Sequence, residues 1–235
     1  MKTILFVMTL FLFACNTNTR NEGKVESSES LTKEKSTDSI SITPDKPGEI
    51  YSAVMFDKIH SSEAEDTLII RTKKGEFIIT PYGRFKNING DTVQLKTELI
   101  VENAYLYLDN KFLYIFFTDT DHDGATSWVQ KINKENLKTI YTTEIPGFNL
   151  GQPIIRGNKA YVTAIGLIGK LNLDTGKYDW IREDLYDRGK ASFNSFDTVL
   201  LSDNQTEFLS KHYLRNQIDK VIVDNTTGKI IKIVK

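Results

Sequence analysis

The chain has 235 residues, 40% hydrophobic and 26% charged, with a formal net charge of −1. Lys and Arg are scattered among the acids, so no basic stripe marks a nucleic-acid surface and no nucleic-acid partner is expected. Cys15 is the only cysteine, which excludes an internal disulfide framework and cysteine-rich metal sites.

The chain opens on Met1-Lys2 and an apolar run from Thr3 to Phe13. That run is too short to cross a hydrocarbon core, which needs about 20 helical residues, but it has the length of a secretory core segment. It ends in Leu12-Phe13-Ala14-Cys15. An aliphatic residue three before the cysteine and a small one just before it resemble the lipobox of bacterial lipoproteins. The resemblance implies a signal peptide over 1–14 and a lipidated Cys15 as mature N-terminus, anchored in a membrane through its acyl chains. The alternative is an ordinary cleaved signal peptide beside an incidental cysteine. No catalytic thiol is expected under the lipobox reading.

Residues 15–48 are polar, of mixed charge and nearly free of aromatics, which predicts a disordered tether. Asn16, where an Asp resembles an inner-membrane retention signal, favours the outer membrane, facing the periplasm or the surface.

Residues 49–235 suffice for one domain. Short runs rich in Val, Ile, Phe, Tyr and Leu alternate with Gly, Asn and Asp, the pattern of an all-β fold. A first unit is expected over Ile50–Phe56, Thr67–Thr72, Glu76–Thr80 and Thr92–Lys96. A second covers Ala104–Leu108, Phe112–Thr118, Trp128–Ile132 and Leu137–Thr142. The third is the clearest: Gln152–Ile155, Lys159–Ala164, Ile168–Asn172 and Lys177–Ile181, with an Asp174-Thr-Gly-Lys turn. The fourth has Thr198–Ser202, Lys220–Asp224 and Ile230–Ile233. Inside it Gln205–Asn216 reads as a short helix or hairpin loop, with Phe208, Leu209 and Tyr213 on one side.

About four antiparallel four-stranded units of this length predict β-propeller-like repeats. Ala160-Tyr-Val-Thr and Leu171-Asn-Leu-Asp-Thr-Gly-Lys-Tyr-Asp-Trp180 resemble a blade of the PQQ-like (quinoprotein-like) and YVTN-type repeat families. Those families carry six to eight blades, so a small or incomplete propeller and a pair of packed sheets both stay open. Trp180 reads as having no counterpart in the other units, where Thr142 or Val234 lies near that place.

Chemistry is sparse. None of His60, His122 and His212 stands in a metal-ligand spacing, and no G-x-S-x-G or S-x-x-K nucleophile motif occurs. Glu183, Asp184 and Asp187 cluster after Trp180 but read as solvated loop carboxylates, so no catalytic residue is assigned and an enzymatic role is not favoured. The sharpest local pattern is Asp119-Thr-Asp121-His-Asp123-Gly124. Alternate carboxylates followed by Gly form the first half of a calcium loop, with Ser127 in the ninth position and Gln130 in the twelfth. The set Asp119, Asp121, Asp123 and Ser127 is therefore a candidate Ca2+ site, against the plainer reading of a polar hairpin tip.

Two functions follow as expectations. One is a non-catalytic, lipid-anchored binding or scaffolding module of the cell envelope, with an envelope or extracellular protein as partner. The other is a calcium-dependent carbohydrate-binding or hydrolytic lipoprotein using the Asp119–Gly124 loop.

Overall fold

A computed structural model describes residues 49–55, 67–97, 99–121, 123–185, 196–210 and 218–235. The expected signal peptide and tether, with Cys15, and also the three histidines, Asp187 and residues 211–216 lie outside them. Among the described residues the fold is all-β, without a helix.

Among the described residues seventeen strands form three antiparallel sheets. The first sheet has nine strands: β1 (Ile50–Met55), β2 (Leu68–Thr72), β3 (Gly75–Ile79), β4 (Arg84–Lys86), β5 (Thr92–Gln94), β6 (Ile100–Leu108), β7 (Phe112–Thr120), β8 (Ala125–Asn133) and β9 (Thr139–Ile145). The second holds β10 (Ile154–Arg156), β11 (Lys159–Ala164), β12 (Leu167–Asn172) and β13 (Lys177–Arg182). The third holds β14 (Phe196–Leu201), β15 (Gln205–Ser210), β16 (Lys220–Asp224) and β17 (Ile230–Val234).

Four-stranded repetition is visible throughout: β2–β5, β6–β9, β10–β13 and β14–β17 are each four sequential antiparallel strands. The first two units are not separate blades, however, which corrects the expectation there. Strand β1 pairs through Ala53–Met55 with β2 and through Ile50–Ser52 with β6, joining both units into one sheet. That sheet folds back on itself, because Ile70, Phe77 and Phe85 from one half share a core with Leu106, Ile115 and Phe117 from the other. A second core joins β6–β9 to β10–β13 through Phe116, Val129, Val162 and Leu171. A third joins β10–β13 to β14–β17 through Trp180, Phe196, Phe208 and Val221.

This layering explains the sequence. Strand β7 is buried on both faces: Leu113, Ile115 and Phe117 enter the first core, Tyr114 and Phe116 the second. Period-two geometry then demands an unbroken apolar run, and Leu-Tyr-Ile-Phe-Phe supplies it. The last sheet is covered on one face only, so β15 alternates. Thr206 and Phe208 point inward while Gln205 and Glu207 do not.

Two readings of the fourth and third units need correction. Gln205–Ser210 is a strand, not a helix; the neighbouring Phe208 and Leu209 point to opposite faces of the sheet. Trp180 does have a counterpart. It stands opposite Lys170, and in the preceding unit Tyr141 stands opposite Lys131 in the same way. A register shift follows each lysine, and another follows Ile222 at the corresponding place in β16.

Candidate functional site

The calcium set is not assembled into one site. Asp119 is buried, and its carboxylate is already occupied: the Thr97 hydroxyl donates to Oδ2 at 2.5 Å and the Trp128 indole N–H to Oδ1 at 3.0 Å. Ser127 sits on the other face of the sheet, hydrogen-bonded to Thr118 at 2.9 Å. A pleated strand sends Asp119 and Thr118 in opposite directions, so Asp119 and Ser127 cannot converge on one ion. Asp121 closes the hairpin tip instead, its Oδ1 accepting the backbone N–H groups of Asp123 at 2.8 Å and Gly124 at 2.9 Å. Gln130 is also committed, accepting from the Lys96 N–H at 2.8 Å and donating to Thr139 at 2.9 Å. Among the described residues no group of three or more His, Cys, Asp or Glu is arranged to hold a metal ion. Of the carboxylates after Trp180, Asp184 is held by Arg182, which hydrogen-bonds it and keeps its carboxyl below the usual carboxylate range.

What the units do share is an interlock between neighbouring sheets. Each of two cross-strand rows presents a tyrosine, a lysine and a second aromatic to the next unit: Tyr114–Lys131–Tyr141 and Tyr161–Lys170–Trp180. The Lys131 ammonium donates to the Leu173 carbonyl at 3.0 Å, and the Tyr141 hydroxyl to the same oxygen at 2.9 Å. Lys170 and the Trp180 indole do likewise to Asn225, at 2.9 and 3.0 Å. Lys131 is buried without a carboxylate in hydrogen-bonding contact. Aromatic faces compensate, with Phe112 at 4.1 Å, Tyr114 at 5.2 Å and Tyr141 at 5.7 Å.

The hairpin turn that meets each row carries a glycine against the ring. A Cβ on Gly176 would lie 2.7 Å from Tyr141, and one on Gly228 would lie 2.6 Å from Trp180. Both glycines also have positive φ, +70° and +68°.

At the junction of β2–β5 with β6–β9 this interlock is missing. The corresponding row is Ile79–Phe85–Val93, without a lysine or a second aromatic. The corresponding turn, Asn133–Lys138, has Leu137 at the glycine position, held at φ +54°. A bulky residue there stores strain of about 1–3 kcal/mol. Beside Leu137 is a cavity of about 210 Å³. Four hairpin turns ring it, and Phe77, Ile88, Leu108, Leu113 and Leu137 form its apolar walls. Among the described residues Lys74 and Lys134 bring the only formal charges to the lining. The Lys134 ammonium donates to the Asp109 backbone carbonyl, and burial together with the nearby Lys74 charge lowers its pKa. The Asp109 carboxylate is turned to the backbone N–H groups of Lys111 and Phe112, at 2.7 and 2.6 Å. Neither lysine forms an ion pair with another described residue.

The row in the last unit is Leu200–Glu207–Ile222–Lys232. It occupies the place that faces the next sheet in every earlier unit, yet Leu200 is 50% exposed. Ile231 at 52% and Ile233 at 41% are exposed on the edge strand β17 but flank Lys232 in the chain, and Ile233 stands opposite Val221, on the face of the third core. Lys220 and Glu207 pair across this face at 2.9 Å.

Neither the cavity nor the end face is evident from local motifs. The signals are comparative: Leu137 where two other turns have glycine, and Lys131 and Lys170 each two residues before a turn that leads to an aromatic.

No protein-family model matches the chain, and no curated protein does. Among solved structures it is similar to a protein of unknown function from Bacteroides caccae. That likeness has a TM-score of 0.30 and 11% identity, covering 72% of this chain and 77% of the other.

Proposed function

We propose that this chain is a lipid-anchored protein of the cell envelope whose β-domain is a non-catalytic binding or scaffolding module. The supporting sequence features are the lipobox Leu12–Cys15 and the polar tether that follows it, consistent with placement in the outer membrane. Its domain reads as an arc of four propeller-like units, the first two fused through β1. The observation that carries the binding role is the outward row Leu200–Glu207–Ile222–Lys232. Rows in this position bury against a following sheet elsewhere in the chain, and this one has aliphatic side chains in solvent. A face that sets Leu200 and Ile222 on either side of Glu207, itself paired with Lys220, suits a protein partner of mixed apolar and charged surface. The partner class is an envelope or extracellular protein that lays a β-hairpin or strand over this row, also using the open edge of β17.

The test uses the full-length protein in cells. A photo-crosslinking side chain replacing Leu200 should give one discrete protein adduct, lost when Ile222→Asp is added. Mass spectrometry of the mature N-terminus should find acylated Cys15. An unmodified cysteine overturns the anchoring, and absence of an adduct in correctly anchored protein overturns the docking face.

A further inference from the structure

We propose that the cavity beside Leu137 is a binding site for a small amphipathic carboxylate, its acid group held between Lys74 and Lys134 and its apolar body lying on Phe77, Leu108 and Leu113. The site is distinct from the end face and does not depend on it.

Three observations converge on this ligand class. The first is the repeat itself. At the two other junctions Tyr141 and Trp180 fill the space against a glycine, and a buried Lys131 and a half-buried Lys170 consume the turn carbonyl. Here the row is Ile79–Phe85–Val93 and the space stays open. The second is charge. Two lysines reach one small cavity whose lining contains no carboxylate side chain. Lys134 is partly desolvated and stands near the like charge of Lys74: burial first, and the repulsion from Lys74 second, lower its pKa against the opposing pull of the Asp109 carboxylate. A monoanion entering between them removes that repulsion and gains charge-assisted hydrogen bonds. The third is shape. A cavity of about 210 Å³ with apolar walls accepts a short hydrocarbon or aromatic body; for comparison, a ~150 Å³ aliphatic cavity holds benzene. Asn87, also in the lining, brings no charge, and its amide is spent within its own turn on Asn89 and Asp91. The held-back φ of Leu137 fits the same picture, since a strained bulky residue shapes one wall where glycine would leave a flat gap.

Hexanoate is the probe, with hexanol and inorganic phosphate as controls, observed by methyl NMR of the whole protein. Hexanoate should shift the methyl resonances of Ile88, Leu108, Leu113 and Leu137 saturably. Hexanol lacks the charge and phosphate the body, so neither should produce those shifts at equal concentration. Lys74→Met, at a site that anchors no other element, should weaken hexanoate about threefold to tenfold, as loss of one partly exposed ion pair does. Lys134→Met should weaken it by more, and methyl spectra otherwise like wild type report that the fold is kept. Affinity should also fall as pH rises through the lowered pKa of Lys134. Equal shifts from hexanol overturn the carboxylate, equal shifts from phosphate overturn the apolar body, and no saturable shift from hexanoate overturns the site.

Discussion

Lys170 and Trp180 face each other across β12 and β13 and donate to a single acceptor, the carbonyl oxygen of Asn225 in the next sheet. Either donor alone satisfies that part-buried oxygen. Trp180→Phe or Lys170→Met should each therefore cost about 1–2 kcal/mol. The double variant should cost more than the sum, because it strands the carbonyl. Urea denaturation of the four proteins in the cycle measures this coupling.

The glycine in each turn makes a second prediction. Gly228→Ala puts a methyl group into the Trp180 ring at a φ of +68° and should destabilise the fold by about 2 kcal/mol or more. Leu137→Gly should behave differently. It relieves about 1 kcal/mol or more of backbone strain while losing half-buried side-chain contacts, so the net change should stay below about 1.5 kcal/mol. Thermal melts of the two variants, run side by side, check the contrast.

Much of the architecture is legible from period-two patterning and Gly-marked turns, and the third unit nearly in full. The misses have physical causes. Trp180 reads as unmatched because the fourth strand of the second unit is expected from Leu137, whereas Leu137 belongs to the turn; aligned on the observed turns, Asn133–Lys138 and Asn172–Lys177, Trp180 falls on Tyr141. Strand β4 has only Arg84-Phe-Lys, too few residues to show a period. The apolar cluster at Phe208, Leu209 and Tyr213 mimics a helical face, although the strand ends at Ser210. The Asp119–Gly124 pattern is legible as spacing but not as direction, since the pleat decides where Asp119 points. The cavity draws on turns from Lys74 to Leu137, and no local window contains it.

Tyrosine burial predicts an alkaline limit. Burial raises the pKa of Tyr114, Tyr141 and Tyr178 above the ordinary value of 10.0, and the Asp109 and Asp174 charges push the first two further. In the unfolded chain these phenols ionise near about pH 10. A pKa raised in the folded state means the folded protein holds the proton more tightly. Stability from these groups is then fully present below about pH 10 and is lost as pH climbs towards the folded values. Urea midpoints should be flat through neutral pH and fall steeply above about pH 10. Near-ultraviolet titration should show a subset of phenols ionising only as the protein unfolds.

Asp119 makes a structural rather than metal-binding prediction. Asp119→Asn weakens the contacts with Thr97 and Trp128 and should destabilise by about 1–3 kcal/mol. Asp121→Ala removes the acceptor for two exposed N–H groups and should cost about 1 kcal/mol or less. Millimolar calcium should leave the melting temperature of wild type and both variants unchanged. A calcium-dependent rise in wild type that Asp121→Ala abolishes would reverse this assignment.

Strand β1 has a mechanical consequence. It is the first strand after residue 49 and is zipped along its length, one half to β6 and the other to β2. Tension arriving from the preceding residues runs along β1 and loads both ladders in shear, so their hydrogen bonds must yield together rather than peel in turn. A pull entering at residue 49 would thus fall first on the largest sheet and its core.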